Sequence, residues 1–174
     1  IDIERDLVAA RLKDSESSRE IVVSSNGTSA LIYVHPDAAG RVEALGRHLE
    51  CADWTGRVIP ADLLHTVGQA AQQHLAFAVS MRASEELNTN GVRGTSLVAK
   101  PAFGKPDRLG CGQHGGFGEY EQSPFLMISG SGFTPGNTRS RASVVDIAPT
   151  VLRHLGLAAD GMDGTALQIS RDNC

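Results

Sequence analysis

Residues 110–130 read GCGQHGGFGEYEQSPFLMISG, and how their glycines are understood decides the fold. Gly110, Gly112 and Gly115 satisfy G-x-G-x-x-G. That spacing marks a dinucleotide-binding unit only when a strand precedes it and a helix opens on the third glycine. Here the preceding KPAFGKPDRL carries two prolines, and the following FGEYEQSP is interrupted by glycine and proline, so neither element is expected. The dinucleotide reading is set aside. What remains is a single histidine, His114, among residues that relax the backbone at an entropic cost ordinary connectors avoid. The pattern presents an imidazole on a pliable loop, just ahead of the apolar run 125–128, which reads as a strand.

Working outward, 174 residues amount to about one domain, enough to bury a core. A hydrophobic share of 41% and a charged share of 21% are ordinary for a globular chain. A net charge of −4 gives no basic footprint for a nucleic acid polymer. No apolar run approaches the ~18 residues a membrane span requires. The chain opens IDIERDLVAA, without an initiator methionine or a signal region, and is expected to be a trimmed piece of something longer. Cys51, Cys111 and Cys174 are widely spaced, which indicates neither a disulfide framework nor a zinc ribbon and favours a reducing, cytoplasmic compartment. Asn26-Gly27-Thr28 is read as a turn rather than a glycosylation acceptor.

Residues 2–13 place Leu7, Val8 and Leu12 on one side at helical spacing, predicting a first helix. Residues 21–23 read as a short buried strand closed by the Asn26-Gly27 turn, and SALIYV at 29–34 as its successor. His35-Pro36 ends that strand and leads into a helix over 37–49 with Val42, Leu45 and Leu49 inward. WTGRVI at 54–59 is a further strand, Pro60 opens a helix over 60–73, and LAFAVSM at 75–81 is the strongest strand of all. Trp54 is read as a core residue. The alternation argues for α/β or α+β architecture. From Arg82 to Ser123 glycine, proline and asparagine dominate, and so long a loop in a compact domain is usually functional or disordered. SVVDIAPTVLRHLGL at 143–157 predicts a last helix, with Asp146 as N-cap, Pro149 at the third helical position, Gly156 at C′, and Ile147, Val151 and Leu155 inward. Asp146 is assigned a capping role in preference to a metal-binding one.

GQHGGFGEYEQSPFLMISGSGF at 112–133, VVDIAPTVLRHLGL at 144–157 and Gly161-Met162-Asp163-Gly164 together resemble the C-terminal end of the alkaline phosphatase superfamily, in its nucleotide pyrophosphatase/phosphodiesterase-like branch. In that family a G-x-H-G loop precedes a strand carrying small residues, and a D-x-A-P-T-x-L helix leads to L-G and a final M-D-G. The likeness covers residues 108–167. It implies an α/β chain: an alkaline-phosphatase-like core fragment, its sheet flanked by helices, with an inserted α+β cap subdomain. The implied division is a partial core segment over 1–30, the cap over 31–93 and the C-terminal part of the metal-binding core over 94–174.

By the same resemblance the parent enzyme would hold two divalent metals, usually zinc, and hydrolyse a small phosphate ester through a threonine or serine nucleophile. His114 would be the last metal ligand to arrive in the chain. The family's nucleophile and remaining ligands should lie upstream of it, and none is recognisable. Ser24-Ser25-Asn26-Gly27 stands where the family's D-H-G motif would be sought, but serine and asparagine replace the ligands. The expectation is therefore a fragment that binds zinc weakly or not at all and does little catalysis by itself. Asn90 and Arg93, on the return loop NTNGVRG, are candidates to touch an anionic substrate, with an ordinary turn as the competing account. His35, His48, His65, His74 and His154 fall on predicted helices or element edges, where solvated or core-satisfied imidazoles are expected. Glu119 and Glu121 are read as solvated rather than as an acid and base pair. The rival from another class is a non-catalytic binding or assembly module that keeps the fold.

Overall fold

The computed structural model describes residues 1–101, 105–106, 110–130, 132–137 and 140–168. Ser131 of the resemblance and Cys174 lie outside them. The chain divides into two compact units, Ile1–Pro124 and the residues from Phe125 on.

The first unit is built on four antiparallel strands, β1 (Ile21–Asn26), β2 (Ser29–Val34), β3 (Thr55–Pro60) and β4 (Leu75–Met81), in the order β1-β2-β4-β3. β1 and β2 form a hairpin because Gly27 takes the positive φ of 62° that the first position of a primed two-residue turn demands. The alternation of the strands then sorts side chains between two faces. Ala30 stands opposite Val79 on one face, and Leu31 opposite Ala78 on the other. Helices α1 (Ile3–Ala9) and α2 (Val42–Cys51) contribute Ile3, Leu7, Leu45 and Leu49 to the cluster on the first face, with Ile21, Ile32, Phe77, Val79 and Met81. Each such buried aliphatic side chain contributes ~1.5–3 kcal/mol relative to exposure, so this layer is the main source of stability. Trp54 joins the same cluster. The second face carries the smaller cluster of Ile59, Leu64 and Leu75.

α1 starts at Asp2, whose carboxylate accepts from the Arg5 N–H, and ends before Arg11, which has a positive φ of 58°. Lys13 beyond it is buried, its Nζ donating to the carbonyls of Ser18 and Ile21 and lying 3.1 Å from Glu4. That contact fastens α1 to β1.

Three expectations are corrected. The helix expected over 60–73 is a 3-10 helix, Ala61–Val67, stopped where Gly68 turns left-handed at φ 72°. The irregular stretch after Arg82 contains a second sheet, the hairpin of β5 (Ala83–Leu87) and β6 (Arg93–Ser96). Its turn is set by Asn88, whose side chain accepts from the N–H groups of Asn90 and Val92. Residues 125–128 form no strand: Phe125 is 90% and Met127 83% exposed, and no described strand pairs with them. Chain of this kind becomes a strand only when a neighbour completes its hydrogen bonds.

In the second unit α3 (Ile147–His154) begins at Asp146 with Pro149 in its first turn, as expected. Its end is a Schellman motif: Leu157 N–H donates to the Leu152 carbonyl, Gly156 N–H to that of Arg153, and Gly156 sits at φ 70°. The expected inward stripe, Ile147, Val151 and Leu155, is instead exposed, and Pro149 and Thr150 are buried. Thr150 faces the 164–168 segment, where Leu167 N–H donates to Thr150 Oγ1 and the Gln168 amide to the Thr150 carbonyl. The architecture is mixed α/β with antiparallel sheets, and the expected boundary at residue 30 falls inside β2.

Candidate functional site

The loop carrying His114 lies against the end of the four-stranded sheet where β1 turns into β2. Thr28, in that turn, is 1% exposed and holds the loop twice. Its backbone N–H donates to the His114 carbonyl at 3.3 Å, and its Oγ1 accepts from the Gly116 N–H at 2.9 Å. The same Gly116 N–H also reaches Glu121 Oε2 at 3.1 Å, and the Thr28 hydroxyl donates to that oxygen at 2.5 Å. Glu121 Oε1 accepts from Ser96 Oγ on β6 at 2.5 Å. One residue further along, the Phe117 N–H donates to Ser80 Oγ of β4 at 2.8 Å.

This closeness explains two of the glycines. Gly115 adopts φ 105°, and a Cβ there would stand 2.6 Å from Ser29 Oγ. A Cβ on Gly94, also left-handed at φ 95°, would stand 2.6 Å from the Tyr120 ring. The loop therefore rests on both sheets of the unit, with Arg57 stacked 5.3 Å from the Phe117 ring centre.

The His114 side chain is exposed, while its backbone is held. No group of three or more His, Cys, Asp or Glu side chains suited to a metal ion occurs among the described residues. Other histidines are engaged elsewhere: His48 Nε2 is 2.7 Å from Asp6, and His35 Nδ1 accepts from the Asp37 N–H. Asn90 and Arg93 are exposed on the β5–β6 hairpin, where Arg93 lies 3.7 Å from Glu85. Arg93 precedes Gly94, so the Tyr120 contact brings its strand beside the His114 loop.

Asp146 stands at the N-cap position of α3, but its side chain makes no cap hydrogen bond to that helix, and the expected capping is corrected: the carboxylate completes a capping box with Ser143 at the turn before it. Its Oδ2 accepts from the Ser143 N–H at 2.7 Å and its Oδ1 from the Thr165 N–H at 2.8 Å. These two bonds, Ser143 foremost, hold its carboxyl below the usual aspartate range.

Glu121 corrects a further expectation, since it is not a solvated carboxylate but the hub of the loop's attachment. Nothing local marks it, because its partners Thr28 and Ser96 come from distant turns of the chain. Beside the loop, on the second face of the large sheet, lies a cavity of about 480 Å³. Leu31, Ile59 and Ala78 give it apolar walls, and Ser24, Ser29 and Ser80 give it hydroxyls. No helix among the described residues is long and apolar enough to cross a membrane. No family model, no curated protein and no solved structure matches this chain.

Proposed function

We propose that the chain is the C-terminal part of a metal-dependent phosphoester hydrolase, similar to the phosphodiesterase/nucleotide pyrophosphatase branch of the alkaline phosphatase superfamily. The observation that supports this most is an exposed imidazole on a loop whose backbone is fastened on the C-terminal side of His114 and at its own carbonyl. A metal ligand needs that combination of a free donor atom and a fixed backbone.

The described residues do not suffice for a zinc ion. A zinc site takes about three protein ligands, and the described residues bring one imidazole to the loop. The remaining ligands and the nucleophile belong, in this reading, to a longer polypeptide holding two zinc ions. This chain contributes one nitrogen donor and a loop fastened to the sheet behind it. Arg93 and Asn90 would meet the anionic end of a small phosphate ester.

A binding or assembly module is the second reading, favoured by the exposed apolar side chains of Phe125, Met127, Val144 and Leu155. Zinc titration of the longer polypeptide, followed by hydrolysis of 4-nitrophenyl phosphate and its diester, separates the two. A hydrolase takes up two zinc ions and cleaves one of these esters, with both properties reduced in His114→Ala. Absence of zinc uptake and of cleavage sinks the first reading and leaves the second.

A further inference from the structure

We propose that the cavity of about 480 Å³ on the second face of the large sheet binds a small organic monocarboxylate, with its apolar body on the sheet and its carboxylate at Arg57. The site stands apart from the metal reading of His114 and does not depend on it. Strand register builds its floor. Leu31 of β2 stands opposite Ala78 of β4, and Ala78 opposite Ile59 of β3, so the three side chains form one row across adjacent strands. Those strands lie ~4.8 Å apart, and a methyl group between two larger aliphatic side chains leaves a trough along β4. Ser24 of β1 extends the row beyond Leu31. The cavity occupies this trough, and its volume falls within the ~300–1,000 Å³ of small-molecule sites.

Two residues along each strand the side chains return to the same face. There Ser29, Ser80 and Arg57 form a second row, of two hydroxyls and a guanidinium. The Phe117 N–H donates to Ser80 Oγ at 2.8 Å, which seats Phe117 at the cavity wall, and the Arg57 guanidinium stands 5.3 Å from that ring's centre. Arg41, Arg47 and Arg93 each lie beside a carboxylate, whereas no carboxylate among the described residues pairs with Arg57. An arginine keeps its charge, and its forked donors fit a carboxylate. An apolar trough with one such cation at its edge and hydroxyls beside it is the complement of an amphipathic anion. A single negative charge matches it better than a doubly charged phosphate, because the nearby Gly116 N–H is already taken by Thr28 and the Glu121 carboxylate.

Octanoate is titrated into the 174-residue chain at pH 7 and followed by amide chemical shifts, with 1-octanol and octyl phosphate as comparisons. Saturable shifts are expected at Leu31, Ile59 and Ala78, with both comparison compounds binding more weakly than octanoate. Arg57→Gln should weaken octanoate binding ~10-fold, the lower end for a hydrogen bond to a charged group, and remove the preference over 1-octanol. Ala78→Leu fills the trough and should abolish binding, whereas Arg47→Gln, on α2, should bind octanoate as the unaltered chain does. Should Ala78→Leu fail to fold, Arg57→Gln decides. Octanoate binding by Arg57→Gln at the strength of the unaltered chain, with only the unfolding temperature lowered, shows that the guanidinium merely stacks on Phe117 and overturns the proposal. Millimolar octanoate that leaves those three amides unshifted overturns it too, as does tighter binding of octyl phosphate than of octanoate.

Discussion

The backbone N–H of Thr28 points at the carbonyl oxygen of His114, 3.3 Å away, and the turn that carries Thr28 has no room for a side chain before it. A Cβ at Gly27 would stand 2.8 Å from Gln113 Oε1 and 2.9 Å from the His114 carbonyl oxygen, on a residue with φ 62°. Gly27→Ala is therefore expected to cost ~1–2 kcal/mol for the left-handed backbone alone. It should also push residues 113–114 away from the turn. Urea unfolding reads the first effect and amide chemical shifts of 113–116 the second. An unchanged urea midpoint would show that the turn does not have this geometry.

Lys13 is the most deeply buried cation described, at 3% exposure. Its removal strands Glu4 and two carbonyls that hold α1 to β1. Breaking a fully buried pair costs ~3–5 kcal/mol, and because Glu4 keeps 29% exposure the expected loss for Lys13→Met is about 2 kcal/mol. Adding Glu4→Gln should return part of that loss, since it removes the stranded charge. Denaturant titration of the two variants checks both statements, and equal stability of Lys13→Met and the unaltered chain refutes the role.

Glu20 is held at a pKa of about 2, first by the Asp14 N–H and then by its own backbone N–H and the Ser18 hydroxyl. A carboxylate whose folded pKa is depressed stabilises the fold above its unfolded pKa. That stabilisation is lost as pH falls from about 4.5 towards about 2. Glu20→Gln should lower the melting temperature at pH 7, and the gap should close as both proteins are taken down through that window. A gap that stays constant with pH contradicts the assignment.

Much of the first unit was legible in its residues. IVVSSNGTSALIYV announces the β1–β2 hairpin through two apolar runs and an Asn-Gly turn, and LAFAVSM is the strand that its density of apolar residues suggests. Gly156 closes the last helix because a left-handed glycine cap is chemical and local, whereas the Asp146 side chain caps the turn before that helix and not the helix itself. The strand order and antiparallel pairing were not legible, since they depend on tertiary choices that periodicity does not carry. β5 and β6 escaped because ASEEL and RGTS are polar and mostly exposed, so no apolar alternation marks them. The exposure of 125–128 and of the α3 stripe escaped for the opposite reason, as an apolar pattern shows what a segment would bury but not whether anything covers it. In the candidate site the glycine loop singled out His114, while Glu121 and Thr28 became visible only when the fold brought them together.

The central claim is that the His114 imidazole binds metal. Anomalous diffraction at the zinc absorption edge, on crystals of the longer polypeptide grown with zinc, tests it most directly. A peak ~2.0–2.1 Å from a ring nitrogen of His114 is the expected result. Ordered zinc bound at other side chains, with the His114 ring free of metal, would contradict the account.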